Sequence, residues 1–336
     1  MAVIDAIMAR ARAMKKALVL PEGQDPRVVK AANLIMEHEV ATKVIVLGTP
    51  AEIDQACATA GVAVRKFEAL DYLHCAFFND YVAQFCKMRE KKGCTMEQAA
   101  QTMSNRIYFG AMMTRNGMVD GLVAGSIAST ADMLRAAFQC IGTAPGIKIG
   151  SSCFVMDLAA PTASGDAAIL FGDCGVNPDP NAEQLVDIAM ATASTYRALF
   201  GKQPKVAFLS FSTHGSASHE ILEKVVAATA MCKARVAAEN LDMLVDGELQ
   251  ADAALVPSVA KAKAPGSVIQ GDANVLIFPD LNAGNIAYKL VQRLGKADAY
   301  GPVLQGLAMP LNDLSRGCSA EDILGSAAIT ICQCAK

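Results

Sequence analysis

The sequence predicts an α/β protein of two domains, each built on a mostly parallel sheet with helices on its faces. The chain has 336 residues, which is more than a single compact core usually holds. Hydrophobic residues make up 53% of it and charged residues only 19%, so extensive burial is expected. Short apolar runs alternate with segments of helical periodicity, and this alternation is typical of parallel sheets joined by crossover helices.

The first α/β series starts after an N-terminal segment, residues 1–16, that we interpret as a surface helix. Residues 15–23, KKALVLPEG, predict a strand closed by a turn, and Asp25-Pro26 then opens a helix. Residues 43–48, KVIVLG, predict a second buried strand, and Thr49-Pro50 starts the next helix.

The pattern turns helical between residues 72 and 116 and returns to a strand at residues 120–126, DGLVAGS. Ser129 can cap the following helix, which carries Arg135. A second α/β series begins after residue 146. Its strands are predicted at 149–157, 167–173, 205–211, 242–246 and 274–279, with helices near 180–200, 216–236, 250–261 and 282–295, and a short strand follows at 303–307.

Composition excludes several classes of protein. A net charge of -3 and a pI near 5.9, without a basic block, argue against nucleic-acid binding. No run of about 18 apolar residues supports a membrane span, and the N-terminus lacks the apolar core of a signal peptide. Eleven scattered cysteines without a CxxC pair fit a reducing cytoplasm, and four histidines without ligand spacing disfavour a metal site.

The chemistry is best placed at residues 312–322, NDLSRGCSAED, where a loop feeds a helix. Ser315, Arg316 and Asp322 offer a hydroxyl, a guanidinium and a carboxylate within eight residues. The unpaired N–H groups of a helix start suit an anionic substrate, and arginine matches phosphate or carboxylate oxygens. The same residues also fit a capping box, with Ser319 as N-cap and Asp322 reaching back. The two interpretations are compatible.

Two other segments leave alternatives open on local sequence. Arg89, at a charged helix end, fits a solvated residue or a ligand-binding one. The hydroxyl-rich segment 210–219, SFSTHGSASH, fits a strand-to-helix loop with its N-cap, or a substrate-lining loop. Neither a P-loop nor a GxGxxG fingerprint is present.

Five segments in one order carry a family resemblance: residues 120–139, 171–189, 208–220, 274–294 and 311–323. Among them are FGDCGVNPDPNAEQLVDIA, NVLIFPDLNAGNIAYKLVQRL and LNDLSRGCSAEDI. Together they resemble the phosphate acetyltransferase (phosphotransacetylase) family, within the wider phosphate acetyl/butyryl transferases. The resemblance extends over nearly the whole chain, which makes it far more specific than any single motif.

The resemblance implies an acyltransferase that moves an acetyl group reversibly between acetyl phosphate and coenzyme A, giving acetyl-CoA and inorganic phosphate. Coenzyme A is then a substrate, and no cofactor or metal is expected. The implied catalytic residues are Asp322 as base for the thiol, Ser315 as donor to the acetyl carbonyl and Arg316 as holder of the phosphate. The implied substrate-binding residues are Arg135, Arg89, Ser129, Thr130, Tyr288 and Lys289.

The resemblance also implies an architecture like that of the isocitrate/isopropylmalate dehydrogenases, a homodimer, and an active site in the inter-domain cleft. We assign residues 1–145 plus 303–336 to the first domain and 146–302 to the second. His214 stands where the family pattern leads us to expect lysine, so the role of this position stays open.

Three alternatives remain. Phosphate butyryltransferase would perform the same chemistry on a longer acyl chain, and pocket size would decide between the two. A metal-dependent dehydrogenase of the isocitrate/isopropylmalate type would need an aspartate cluster and a nucleotide loop, which the sequence does not offer. A two-domain small-anion binding protein would show no turnover.

Overall fold

A computed structural model describes residues 3–163 and 165–335 of the chain. The chain forms two compact units. The first unit comprises residues 4–144 and 307–335, and the second comprises residue 3 and the described residues of 145–306. The chain therefore leaves the first unit once and later returns to it.

Helices and strands alternate through most of the chain. The helices are α1 Val3–Met14, α2 Pro26–Glu37, α3 Pro50–Ala60, α4 Phe78–Met88, α5 Met96–Met103, α6 Arg106–Arg115, α7 Thr130–Ala136, α8 Ala182–Phe200, α9 Glu220–Ala238, α10 Ala251–Leu255, α11 Pro257–Lys263, α12 Leu281–Leu294 and α13 Ala320–Cys332. The strands are β1 Ala17–Leu20, β2 Lys43–Leu47, β3 Glu68–Leu70, β4 Gly121–Ala124, β5 Ser151–Asp157, β6 Ala168–Gly172, β7 Lys205–Leu209, β8 Leu244–Leu249, β9 Val275–Ile277, β10 Asp298–Gln305 and β11 Leu311–Asp313.

The sheet of the first unit has the order β11-β4-β1-β2-β3, and all its pairs are parallel. β1 lies between β4 and β2, and β4 lies between β1 and β11. The carboxyl ends of β1, β4 and β11 are therefore neighbours at one edge of the sheet. In open α/β sheets this edge is where ligands bind.

The sheet of the second unit has the order β10-β5-β6-β9-β7-β8. Strands β6, β9, β7 and β8 pair in parallel, whereas β10 and β5 add two antiparallel pairs at one side. The sheets are thus mostly parallel, as predicted.

Two predicted elements differ from the structure. The short strand placed at 303–307 in the first domain is the second half of β10, which begins at Asp298 and lies in the sheet of the second unit. The chain returns to the first unit at Leu307 instead of Val303. The single helix expected near 250–261 is split into α10 and α11 because Pro257 cannot continue a helix from the preceding turn.

Helix starts follow the sequence signals closely. Asp25 caps α2 with Pro26 in its first turn, and Thr49 forms a full capping box with Glu52 at α3. Each cap satisfies backbone N–H groups that a helix leaves unpaired. Both helices therefore begin where the chain leaves the carboxyl edge of the first sheet.

Candidate active site

The loop between β11 and α13 presents the predicted catalytic side chains. Ser315 to Cys318 form a tight turn, closed by a 3.0 Å hydrogen bond from the Cys318 N–H to the Ser315 carbonyl. Gly317 donates its N–H to the Ser315 hydroxyl oxygen at 3.2 Å. Ser315, Arg316 and Gly317 are exposed, while Cys318 is buried and anchors the turn. The hydroxyl and the guanidinium therefore face outward from a turn that has few internal bonds.

Asp322 lies in the first turn of α13 and completes the predicted capping box. Its Oδ2 accepts the Ser319 N–H at 2.8 Å and the Ser319 hydroxyl at 2.9 Å, and its own N–H donates to Ser319 Oγ at 3.0 Å. Asp322 is nonetheless exposed, and both bonds that it accepts fall on one oxygen. The second oxygen, Oδ1, takes part in neither of these capping bonds.

The Arg316 guanidinium, like that of Arg89, has no carboxylate partner within residues 3–163 and 165–335. Arg27, Arg65, Arg106 and Arg135, by contrast, all form ion pairs. An exposed and unneutralised guanidinium beside a helix start is suited to a bidentate oxyanion.

The loop after β4 is built around a buried carboxylate. Glu22, only 2% exposed, follows β1 and accepts five donors: the N–H groups of residues 125–128 and the Ser126 hydroxyl, at 2.7–3.0 Å. These bonds fold the loop around the end of the neighbouring strand and lead it into α7. The role of Glu22 could not be predicted from the sequence, because the PEG segment indicates only a turn.

α7 and its N-cap carry three of the predicted binding residues. Ser129 caps this helix and donates its hydroxyl to Asp132 Oδ2 at 2.7 Å, and Arg135 donates to Asp132 Oδ1 at 2.8 Å. The bond from Ser129 and then that from Arg135 keep the pKa of Asp132 below its usual value. Arg135 is exposed, but its guanidinium already forms an ion pair with Asp132. A ligand would have to compete with Asp132 for this guanidinium.

Thr130, the first residue of α7, bonds to a second buried carboxylate. Its hydroxyl donates to Asp313 Oδ2 at 2.5 Å. Asp313 is only 5% exposed, and its Oδ1 makes no hydrogen bond to any residue that the structure describes. Burial raises the pKa of Asp313 to about 6, although the bond from Thr130 partly opposes the shift.

The charges of Arg89 and Arg135 both act on Tyr108. Arg89 ends α4 and Arg135 lies in α7, whereas Tyr108 lies on α6. Burial raises the pKa of Tyr108, and the positive charges of Arg135 and Arg89 partly offset that increase. Two basic residues that are distant in sequence thus influence the same buried phenol.

Tyr288 and Lys289 lie on α12 of the second unit. The Tyr288 ring stacks on Phe154 at 4.1 Å between centroids, and Lys289 Nζ lies 5.7 Å from the centre of the Tyr288 ring. Tyr288 is half-buried against the core of that unit, whereas Lys289 is exposed. Tyr288 therefore has a packing role that its sequence position alone does not indicate.

The hydroxyl-rich segment 210–219 uses much of its polarity to fold itself. Glu248 accepts from the Ser212 hydroxyl at 2.9 Å and from the Gly215 N–H at 2.7 Å. His214 lies 3.3 Å from the buried Asp246, and His219 caps α9. These contacts favour the loop-and-cap interpretation of the segment.

Three kinds of feature are absent from the residues that the structure describes. No group of three or more His, Cys, Asp or Glu side chains is arranged there to hold a metal ion. No disulfide joins the cysteines of this part of the chain. None of the helices there is both long and apolar enough to cross a bilayer.

A hydroxyl, a guanidinium without a carboxylate partner and a carboxylate thus lie within eight residues at the carboxyl edge of a parallel sheet, an arrangement suited to an anionic ligand. The chain belongs to the family described as phosphate acetyl/butaryl transferase, whose model matches residues 2–331. A phosphate acetyltransferase from Thermoanaerobacterium thermosaccharolyticum is 50% identical to it over 333 residues, which cover 99% of each chain.

Solved structures agree. The EutD phosphotransacetylase from Staphylococcus aureus superimposes with a TM-score of 0.91 at 41% identity, covering 99% of this chain and 98% of that one. A 4-hydroxythreonine-4-phosphate dehydrogenase from Klebsiella pneumoniae shares only the fold, with a TM-score of 0.53 at 12% identity over 95% of this chain and 99% of that one. The family resemblance and the dehydrogenase-like fold inferred from the sequence are confirmed.

Proposed function

We propose that this chain is a phosphate acetyltransferase, which interconverts acetyl-CoA plus inorganic phosphate with coenzyme A plus acetyl phosphate. The proposal depends on one observation above all: full-length relatives of 41–50% identity are phosphate acetyltransferases or phosphotransacetylases. The turn at Ser315 and Arg316 and the carboxylate of Asp322 supply groups that this reaction needs. No feature of the described residues favours a longer acyl chain.

The reaction begins with the thiol of coenzyme A. A thiol with a pKa of about 8.5 is only a few per cent ionised at neutral pH, so a base near the sulfur accelerates the attack. Asp322 Oδ1, the oxygen outside the capping box, takes the thiol proton. The Asp322 carboxylate can do this without giving up the bonds that start α13.

The sulfur then attacks the acetyl carbon. The C–S bond forms, the carbonyl oxygen becomes negative in the tetrahedral intermediate, and the C–O bond to phosphate breaks as that charge returns. The Ser315 hydroxyl donates to the carbonyl oxygen; a donor of this kind contributes roughly 3 kcal/mol. Arg316 binds the departing phosphate, which leaves with both electrons of the broken bond.

The remaining arginines hold the substrates. We assign Arg89 and Arg135 to the phosphate groups of coenzyme A, with Ser129 and Thr130 as further contacts whose hydroxyls would have to turn from Asp132 and Asp313 to donate to the ligand. Tyr288 and Lys289 remain proposed contacts on the second unit. Since coenzyme A supplies the nucleophile, neither an enzyme cysteine nor a metal is needed, and we expect full activity in the presence of EDTA.

We also propose that the protein is cytoplasmic and works as a homodimer. Ile286, Leu290 and Leu294 are spaced four residues apart on α12 and are 58%, 51% and 79% exposed. They form one apolar stripe on the surface of the second unit. An exposed stripe of this kind supports self-association, because its burial removes apolar surface from water.

The test is thioester formation from acetyl phosphate and coenzyme A, followed for wild type, Arg316→Gln and Arg316→Lys. Rapid wild-type turnover is expected, with Arg316→Gln slower by about 100-fold or more, the scale for losing a preorganised charge in the transition state. Arg316→Lys should recover only part of the rate, since an ammonium cannot form the bidentate contact.

Butyryl phosphate serves as the comparison substrate. A wild-type protein that prefers butyryl phosphate would replace the acetyl assignment, and inactivity with both acyl phosphates would refute the transferase function. Full activity in Arg316→Gln would keep the function but remove Arg316 from the site.

A further inference from the structure

Arg27 occupies the centre of the hydrogen-bond network around the predicted catalytic loop. Its Nη1 donates to the carbonyl of Arg316 at 2.8 Å and to the carbonyl of Cys318 at 2.9 Å. Its Nη2 donates to the carbonyl of Ser126 at 3.0 Å. One side chain from the start of α2 thus binds the backbone of both loops that carry the proposed site, the loop after β4 and the loop after β11.

The guanidinium is held in this orientation by Asp25. Asp25, 4% exposed, accepts from Arg27 Nε at 3.1 and 3.2 Å and from Nη2 at 2.6 Å, and it also caps α2. Burial opposes ionisation of Asp25, but the bonds from Arg27 keep its pKa below the ordinary value. Asp25 therefore neutralises the charge of Arg27, and all three guanidinium nitrogens of Arg27 are hydrogen-bonded. In this Arg27 is unlike Arg316.

The turn at Ser315 depends on these contacts because its own bonds are few. Its internal hydrogen bonds are those from the Cys318 and Gly317 N–H groups, and both end on Ser315. The carbonyls of Arg316 and Cys318 point instead to Arg27. Without these two bonds, the segment that presents the hydroxyl and the guanidinium would be tethered mainly at its ends.

We propose that Arg27 is a positioning residue that acts through the Ser315–Cys318 turn. It holds the backbone of Ser315 and Arg316 in a fixed position relative to the loop after β4. This inference rests on the proposed acetyl transfer. Arg27 does not touch the substrate; it fixes the backbone from which the reacting groups project. Misplacement of reacting groups by about 1 Å can cost on the order of 100-fold in rate.

The experiment compares Arg27→Gln and Arg27→Lys with Lys30→Gln as the matched control. Lys30 lies one turn further along the same helix and reaches Glu321 of α13 at 3.3 Å, but that pair is exposed, with side-chain exposures of 51% and 65%. Arg27→Gln should lower kcat by at least about tenfold, and Arg27→Lys should recover little of the loss. Lys30→Gln should stay within about twofold of wild type.

A double-mutant cycle separates positioning from an independent role. If Arg27 acts through the turn, Arg27→Gln should slow Arg316→Gln by a clearly smaller factor than it slows the wild type, because only the positioning of Ser315 is then left to lose. A rate loss equal to the product of the two single losses would overturn the proposal, and so would wild-type kcat in Arg27→Gln.

Hydrogen exchange supplies a readout that does not depend on turnover. Amides of residues 315–319 should exchange faster in Arg27→Gln, or in Arg27→Lys if the first variant folds poorly, and should be unchanged in Lys30→Gln. Unchanged exchange in both Arg27 variants would refute the positioning role even if the wild type were inactive. An inactive wild type with faster exchange in Arg27→Gln would refute acetyl transfer and leave the structural link intact.

Discussion

Thr130 donates its hydroxyl to the buried Asp313 at 2.5 Å, so the first residue of α7 is bonded to the last residue of β11. The two residues lie 183 positions apart in the chain. Their bond joins the segment that carries Ser129 and Arg135 to the strand that leads into Ser315. The negative charge of Glu22 also acts on the Asp313 carboxylate that accepts this bond, and it contributes to the raised pKa of Asp313.

Asp313 should make stability depend on pH in an unusual direction for an aspartate. Its pKa is about 6 in the folded protein against 3.8 for the free side chain. The folded state therefore binds this proton more tightly, and the resulting stability is complete below about pH 4 and is lost as pH rises through 6. Asp313→Asn should gain up to about 3 kcal/mol relative to wild type between pH 4 and 7. Urea unfolding across this range measures the difference, and a pH-independent difference would contradict the prediction.

Gly125→Ala should destabilise the first unit by about 3 kcal/mol or more. Gly125 has φ +112°, and a Cβ there would lie 2.2 Å from Asp313 Oδ1 and 2.6 Å from the Leu314 nitrogen. Gly117→Ala is the control, since Gly117 also has positive φ, +71°, but nothing within 4 Å of the added atom. Its cost should be about 1 kcal/mol. Equal losses of unfolding free energy in urea would show that the contact with Asp313 is unimportant.

Asp322→Asn and Ser319→Ala should separate catalysis from capping. The amide introduced by Asp322→Asn would keep an oxygen for the cap but cannot accept the thiol proton, so kcat should fall about 100-fold with little change in stability. Ser319→Ala removes the cap and should cost about 1 kcal/mol while kcat changes by only a few-fold. Thioester assays and urea unfolding of both variants provide the comparison. Normal kcat in Asp322→Asn would return Asp322 to a purely structural role.

Leu290→Glu should weaken the proposed dimer. The substitution places a charge in the middle of the apolar stripe on α12, where burial in an interface would leave it unpaired. Val64→Glu is the control, because Val64 is 71% exposed but lies in the first unit. Sedimentation velocity should show a smaller species for Leu290→Glu alone. A wild-type monomer, or dimers in both variants, would exclude this stripe as the interface.

The sequence was most informative where local signals decide the outcome. The capping box of Ser319 and Asp322 follows from its spacing, and the structure confirms it. The alternation of strands and helices likewise predicted most of the elements, although the three-residue strands β3 and β11 were not predicted. The end of the second unit was harder to predict from the sequence. β10 begins with the segment Asp298 to Pro302, which has turn residues and yet belongs to a strand that pairs with β5.

The supporting network around the site could not be read from local sequence. Glu22 and Arg27 lie in a segment that indicates only a turn and a helix cap, yet their partners are about 100 and 290 positions away. Asp313 was equally hidden, since a three-residue strand shows no periodicity that would mark its last side chain as buried.

The position of β11 in the first sheet has a consequence during protein synthesis. β4 is fully buried and apolar, and one of its two neighbours, β11, is synthesised only after the intervening second unit of about 160 residues. At roughly 5–20 residues per second, a ribosome needs about 8–30 s to make that stretch. For this time the nascent sheet has an unpaired apolar edge that can recruit other strands. The growing chain should therefore depend on chaperones until residues 311–313 emerge.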